Sequence, residues 1–270
     1  MVLIPDLDID IEEADVRLIP HAFHSVTSSG TVRIVVLSND TDVLVLLIYY
    51  YSMLKPHGLK ELWMRGGVGD STRYIPVHTL AIKLGTCLCR VLPAMHQLTG
   101  SDSTSKFGTK AGAMKAKPEL YLDTFGTDRD DMNLDKVEEY LVHVIKPGVP
   151  FKTMDELRYY LYLQSKKTIA ELPPTSRATK DHIYRAFYGT YLQLHCLNGP
   201  KLDACDFGFY EDDSLMKPRE SQQLVPEDLP TNCTCGKCAT RRCSCRSSNV
   251  PCCIYCSCKA MDNNNCSNPL

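Results

Sequence analysis

The last forty residues restrict what this chain can fold into more than any other stretch. Between Cys233 and Cys266 lie ten of the fourteen cysteines, in the pattern C-x-C-x2-C-x4-C-x-C-x6-C-C-x2-C-x-C-x7-C. Large apolar side chains are few here, so a hydrophobic core cannot hold the segment together. A disulfide framework needs an oxidising compartment, and C-x-C neighbours suit a mutual bridge poorly. Zinc thiolate is the reading that remains, with bound metal supplying the free energy of folding.

Charge divides the chain at the same place. Residues 231–270 carry Lys237, Arg241, Arg242, Arg246 and Lys259 against Asp262, so the remainder holds an excess of six acids within the overall net charge of −2. A basic module on an acidic body points to phosphate for the first and to bound cations for the second. The N-terminus shows no basic region or apolar run of the secretory kind. The longest uninterrupted apolar run, Val43 to Tyr51, is far short of the roughly 20 residues of a membrane helix. An intracellular protein without a membrane partner is the expectation.

A second stretch, Arg33 to Tyr51, sets two apolar runs on either side of Asp40 and Asp42. Ile34 to Leu37 is β-branched without polar alternation, the pattern of a parallel strand buried on both faces. Acids just beyond such a strand face the crevice where ligands of open α/β sheets collect, although Asn and Asp also close turns there. Glu12-Glu13-Ala14-Asp15 opens a helical pattern in which Pro20 predicts a kink or an early stop. Leu98 to Thr104 places Asp102 in turn chemistry after another helical segment. Cys87 and Cys89 read as packing residues, and His21 and His24 as surface side chains.

In order, E-A-D, D-T-D after an apolar strand, and G-S-D before a Gly- and Lys-containing segment resemble the acidic motifs of the flap-endonuclease and PIN-like nuclease superfamily. The similarity extends to a mobile-element group of PIN-like proteins through Glu12–Arg17, Asp40–Val43, Thr72–His78 and Leu92–Ser105. That resemblance implies a partial PIN-like parallel sheet with helices, and catalytic acids Glu13, Asp15, Asp40, Asp42 and Asp102. Glu13 and Asp15 would take one Mg²⁺ or Mn²⁺ ion and the other three a second. It also implies phosphate contacts by Lys106, Lys110 and Lys115. The resembled fold draws further acids from elements ahead of E-A-D, so the nuclease domain is expected to be incomplete on its N-terminal side. An incomplete sheet leaves an open edge and invites self-association.

The C-terminal array resembles the tesmin-like CXC domain, with T-R-R-C-S-C-R at Thr240–Arg246. By that resemblance about three zinc ions are shared among Cys233, Cys235, Cys238, Cys243, Cys245, Cys252, Cys256, Cys258 and Cys266, with Cys253 supernumerary. Arg241, Arg242 and Arg246 then contact DNA, and a nuclear location follows. The expected organisation is an α/β PIN-like domain over 1–130, a helical extension over 131–198, a linker over 199–230 and the CXC module over 231–270. The functional expectation is a metal-dependent nuclease tethered to DNA. Its alternatives are a catalytically inactive DNA-binding protein and a zinc-stabilised interaction scaffold.

Overall fold

The computed structural model describes residues 7, 13–130, 132–164, 171–198, 201–219, 232–248, 251–252, 256–258 and 266–268. The architecture is mixed α/β, and the chain divides into two compact units. One comprises Met1–Lys152 with Ala178–Ser221, the other Thr153–Arg177 with Gln222–Leu270.

In the first unit, α1 (Ala14–Ser29) leads to β1 (Arg33–Leu37), α2 (Thr41–Leu54), β2 (Glu61–Gly66) and β3 (Arg73–Pro76). The sheet order is β1-β2-β3, with β1 and β2 parallel and β3 antiparallel to β2. The β1-α2-β2 crossover is the βαβ unit that a buried apolar helix between two strands dictates. Val43, Val45, Leu46, Leu47 and Ile48 of α2 are all buried, so this helix is apolar nearly all round and forms the centre of the core.

Two expectations are corrected here. Of the kink or early stop expected at Pro20, the stop does not occur: α1 runs on to Ser29, where Gly30 closes it in the left-handed region. Burial of the proline with Val16, Ile19, Ala22 and Val26 offsets the cost of about 3 kcal/mol of a helical proline. Nor is β1 buried on both faces. Val36 is covered, while Val35 is 41% and Leu37 68% exposed, because β1 lies at the sheet edge and only one sheet face is packed.

Beyond the sheet come α3 (Val77–Leu84), α4 (Thr86–Leu98), α5 (Lys110–Lys115), α6 (Leu134–Ile145), α7 (Met154–Gln164) and α8 (Ser176–Leu194). No single described helix is long and apolar enough to cross a membrane. Cys89 is buried and Cys87 exposed on α4. The Tyr50 hydroxyl donates to the carbonyl of Gln193 at 2.8 Å, tying α2 to α8. Within the segment expected to be a linker, β4 (Phe209–Asp212) and β5 (Leu215–Pro218) form a hairpin instead. Phe207, just before it, stacks on Phe187 at 5.4 Å and on Tyr188 at 5.8 Å, anchorage that proline and acid content concealed.

The second unit combines α7 with the cysteine-rich segment, where α9 (Ser244–Ser247) is the one described helix. Thr153 and Glu156 cap α7 reciprocally, at 3.1 and 3.3 Å. The Tyr159 hydroxyl on α7 donates to Asn232 Oδ1 at 2.6 Å, immediately before the first cysteine of the array.

Candidate metal centres

Eight cysteines of the C-terminal array, Cys233, Cys238, Cys243, Cys245, Cys252, Cys256, Cys258 and Cys266, form one buried cluster, with Cys235 packed against it. The ninefold set read from the sequence is therefore brought together, while Cys253 lies outside the described residues. Sulfur separations decide between disulfide and metal chemistry. Cys233 Sγ lies 3.5 Å from Cys238, 3.8 Å from Cys252 and 4.0 Å from Cys258, and Cys245 lies 3.5 Å from Cys256. A tetrahedral ion with Zn–S bonds of about 2.3 Å separates its sulfurs by about 3.8 Å, whereas a disulfide needs about 2.05 Å.

Three quartets bring their sulfurs mutually within 4.8 Å: Cys233 with Cys235, Cys238 and Cys243; Cys233 with Cys238, Cys252 and Cys258; and Cys233 with Cys243, Cys245 and Cys252. These groups could hold metal ions, and all-thiolate quartets fit zinc. The quartets overlap, with Cys233 common to all three. Cys243 caps α9, and the backbone N–H of Arg246 holds its thiol low, at about 6. Burial pushes the thiols of Cys233, Cys238 and Cys245 up. Buried thiolates persist only beside a cation, so the cluster's chemistry calls for metal. Around it, Asn268 donates from its backbone N–H to Cys266 Sγ at 3.4 Å and from its amide to Cys252 Sγ at 3.6 Å.

The arginines separate into two kinds. Arg241 and Arg242 are exposed. Arg246 is half-buried, its guanidinium donating to the Cys238 carbonyl at 3.0 Å and to the carbonyl of Ser267. It clasps two parts of the module, a use that charge pattern alone did not reveal.

The acids read from the sequence belong to the first unit. Asp40 ends the loop after β1 and caps α2, accepting from the Asp42 N–H at 2.9 Å. Asp15 sits in the first turn of α1. Asp102 follows α4 in a turn that glycine makes possible: Gly100 has φ +108, and a Cβ there would lie 2.8 Å from Lys106 Cα. Gln97 fastens this turn, its carbonyl accepting from Thr104 Oγ1 at 2.6 Å and its side-chain oxygen from Ser101 Oγ at 2.8 Å.

Partial burial, then the charges of Asp40, Asp42 and Asp102, raise the Asp15 carboxyl above its ordinary value. Asp15 thus lies in the field of three acids from two other segments. Glu13, the N-cap of α1, is exposed and is not among the charges raising Asp15. Among the described residues, the groups of ligand atoms mutually within 4.8 Å are all cysteines, so the carboxylates converge without closing on a common point.

Two partners of the acids went unnoticed in the sequence. His96, 5% exposed on α4, points Nε2 at Asp42 Oδ1, 2.5 Å away. Inside an apolar helical stripe, nothing local distinguished it from core. Lys110 is exposed, and its ammonium donates to the carbonyls of His96 at 2.8 Å and Gly100 at 2.7 Å. Lost hydration pulls it down to about 8, partly countered by Asp42. Lys106 is exposed.

No protein family, curated protein or solved structure matches the chain.

Mutual repulsion predicts a stability effect. Because the folded-state pKa of Asp15 is raised, its contribution to stability is present while it is protonated and is lost as pH rises through that pKa. Asp15→Asn is expected to raise the melting temperature at pH 7 by the equivalent of a few tenths of a kcal/mol, as suits a partly solvated group. The gain should vanish below the ordinary carboxyl value of 3.8. Paired thermal melts across pH measure it; a loss of stability at pH 7 would refute the repulsive cluster.

Proposed function

We propose that this chain is a PIN-like, divalent-metal-dependent nuclease-type protein acting on DNA, held there by a CXC zinc module. The observations that support the reading are that Asp15 lies in the field of Asp40, Asp42 and Asp102, acids of two other segments, and that His96 Nε2 lies 2.5 Å from Asp42 Oδ1. The motif order resembling flap endonucleases supports it independently. The N-termini of α1 and α2 add the positive ends of their dipoles beside the acids.

Oxygen donors of this kind suit Mg²⁺ or Mn²⁺. When bound, such ions supply an activated water and offset charge on the phosphate. In this reading Asp15, Asp40 and Asp42 hold the cations, Asp102 completes the set from its turn, and His96 fixes the rotamer of Asp42. Lys110, committed to backbone carbonyls, keeps the α4 end and the Asp102 turn in register. Exposed Arg241 and Arg242 engage DNA phosphates.

A second reading, DNA binding without cleavage, is favoured by the incomplete closure of the carboxylates and by the commitment of Asp42 to His96. Incubation of the zinc-loaded protein with labelled single-stranded, duplex and flap DNA separates the two. Metal-dependent cutting is expected with Mn²⁺ or Mg²⁺ and none with EDTA after brief exposure. Binding that persists without cutting in any metal selects the second reading. Arg241→Ala with Arg242→Ala is expected to lower duplex affinity and to flatten its salt dependence by about 1.8 in the log–log slope. Unchanged affinity and slope would favour a scaffold.

A further inference from the structure

The uncovered sheet face has its own chemistry. Strand register and pleat align Arg33 with Glu61, Val35 with Trp63 and Pro76, and Leu37 with Arg65 and Tyr74 on that face. Leu37 is 68% exposed and Tyr74 57% exposed, whereas a parallel strand pair is ordinarily covered on both sides. An apolar, aromatic surface of this kind marks a place where something docks.

Charge narrows the occupant. Glu61 is the only acid among the described strand residues of this sheet, and it is spoken for: Arg33 Nε and Nη2 donate to it at 2.8 Å each and Trp63 Nε1 at 2.9 Å. These donors lower its carboxyl to about 2, so the negative charge stays neutralised by Arg33. Arg65, between Leu37 and Tyr74, has no acidic partner among the described residues. Arg73 faces the other way, at the same end of the sheet. There Gly66 leaves room: a Cβ on it would meet Asn39 Oδ1 at 2.9 Å, with Arg73 Nε at 3.8 Å. Asn39 immediately precedes Asp40, and its Oδ1 accepts from the Gly67 N–H at 2.6 Å.

Exposed aromatic faces beside unpaired guanidinium groups recognise bases and phosphates together. Only a single strand offers base faces, since a duplex stacks them away. We propose that this open face is a platform for single-stranded nucleic acid. Tyr74 takes a base, Arg65 takes a flanking phosphate, half-exposed Trp63 lies beside them, and the strand is led toward the carboxyl end of β1 where Asp40 and Asp42 lie. The inference adds a substrate class to the proposed nuclease, yet binding and cleavage fail separately: binding to the platform is read without added Mg²⁺ or Mn²⁺, where no cleavage is required.

The test uses the full zinc-loaded chain carrying Arg241→Ala and Arg242→Ala, so that the zinc module contributes least. Labelled oligothymidine and oligouridine of about 20 nucleotides, long enough for a stacking platform, are followed by anisotropy and by emission of Trp63, the only tryptophan. Quenching of Trp63 on binding is expected. Tyr74→Ala should weaken binding on the order of tenfold while Tyr74→Phe retains it. Arg65→Ala should lower the log–log salt slope by about 0.7. Affinity within twofold of the parent in both, with no change in Trp63 emission, would overturn the proposal. So would a mass of two chains by light scattering that Leu37→Asp returns to one, which would assign the face to a second copy.

Discussion

Stripping metal with a strong chelator is expected to unfold the cysteine-rich module and to loosen α7 with it. The module's described interior is sulfur, with Cys235 the least covered of nine thiols. Without cations these thiols become buried polar groups in a segment that lacks the apolar area to fold. Structural zinc contributes apparent free energies of about 10–16 kcal/mol in small zinc peptides, more than such a module can replace. α7 is affected because the Tyr159 hydroxyl donates to Asn232, whose carbonyl also accepts from Ser244 Oγ at 2.6 Å. Hydrogen exchange should therefore accelerate over 154–164 as well as through the array, while the sheet and α2 stay protected. Cys233→Ser is expected to release more zinc than Cys235→Ser, because Cys233 belongs to all three sulfur quartets and Cys235 to one. Equal zinc losses in the two variants, or exchange unchanged after chelation, would show that the thiols are not the module's metal-bearing core.

How much of this could be read from sequence depended on whether the information was local. The cysteine cluster was legible because thiols spaced by one to seven residues imply metal on their own, while the choice of nine of them followed from the CXC resemblance. The carbonyl partners of Arg246 at Cys238 and Ser267 were not legible by the same local logic, because they depend on how the module folds. The order of the acids was legible, and their proximity follows from the β1-α2 loop and the first turn of α1 meeting at one end of the sheet. His96 was not, since a buried histidine in an apolar helix has no signature until Asp42 is found against it, 54 residues away in sequence. The apolar run of β1 indicated a strand correctly. It did not reveal that one face stays open, because burial depends on neighbours that the run itself does not encode.

Asp42→Asn is expected to cost the proposed nuclease the most of any single acid. The substitution preserves shape and leaves the N-cap bond from the Asp42 N–H to Asp40 in place, so folding should survive. It removes the charge of a carboxylate with one oxygen already fixed by His96, which leaves the other to serve as a ligand. Loss of a central ligand should lower metal-dependent cleavage on the order of a thousandfold, about 4 kcal/mol of transition-state stabilisation. His96→Ala should cost less, on the order of 10–100-fold, the range for residues that orient metal ligands. Its effect should appear first as weaker Mn²⁺ binding, relieved by raising Mn²⁺, whereas the Asp42→Asn defect should persist at saturation. His96→Gln, which keeps an N–H donor, should recover part of the loss. Mn²⁺ titrations of cleavage with the three variants measure all of this. Wild-type cutting by Asp42→Asn would remove the acidic centre from the chemistry, and a His96→Ala defect that no Mn²⁺ concentration relieves would make His96 a structural residue of α4 alone.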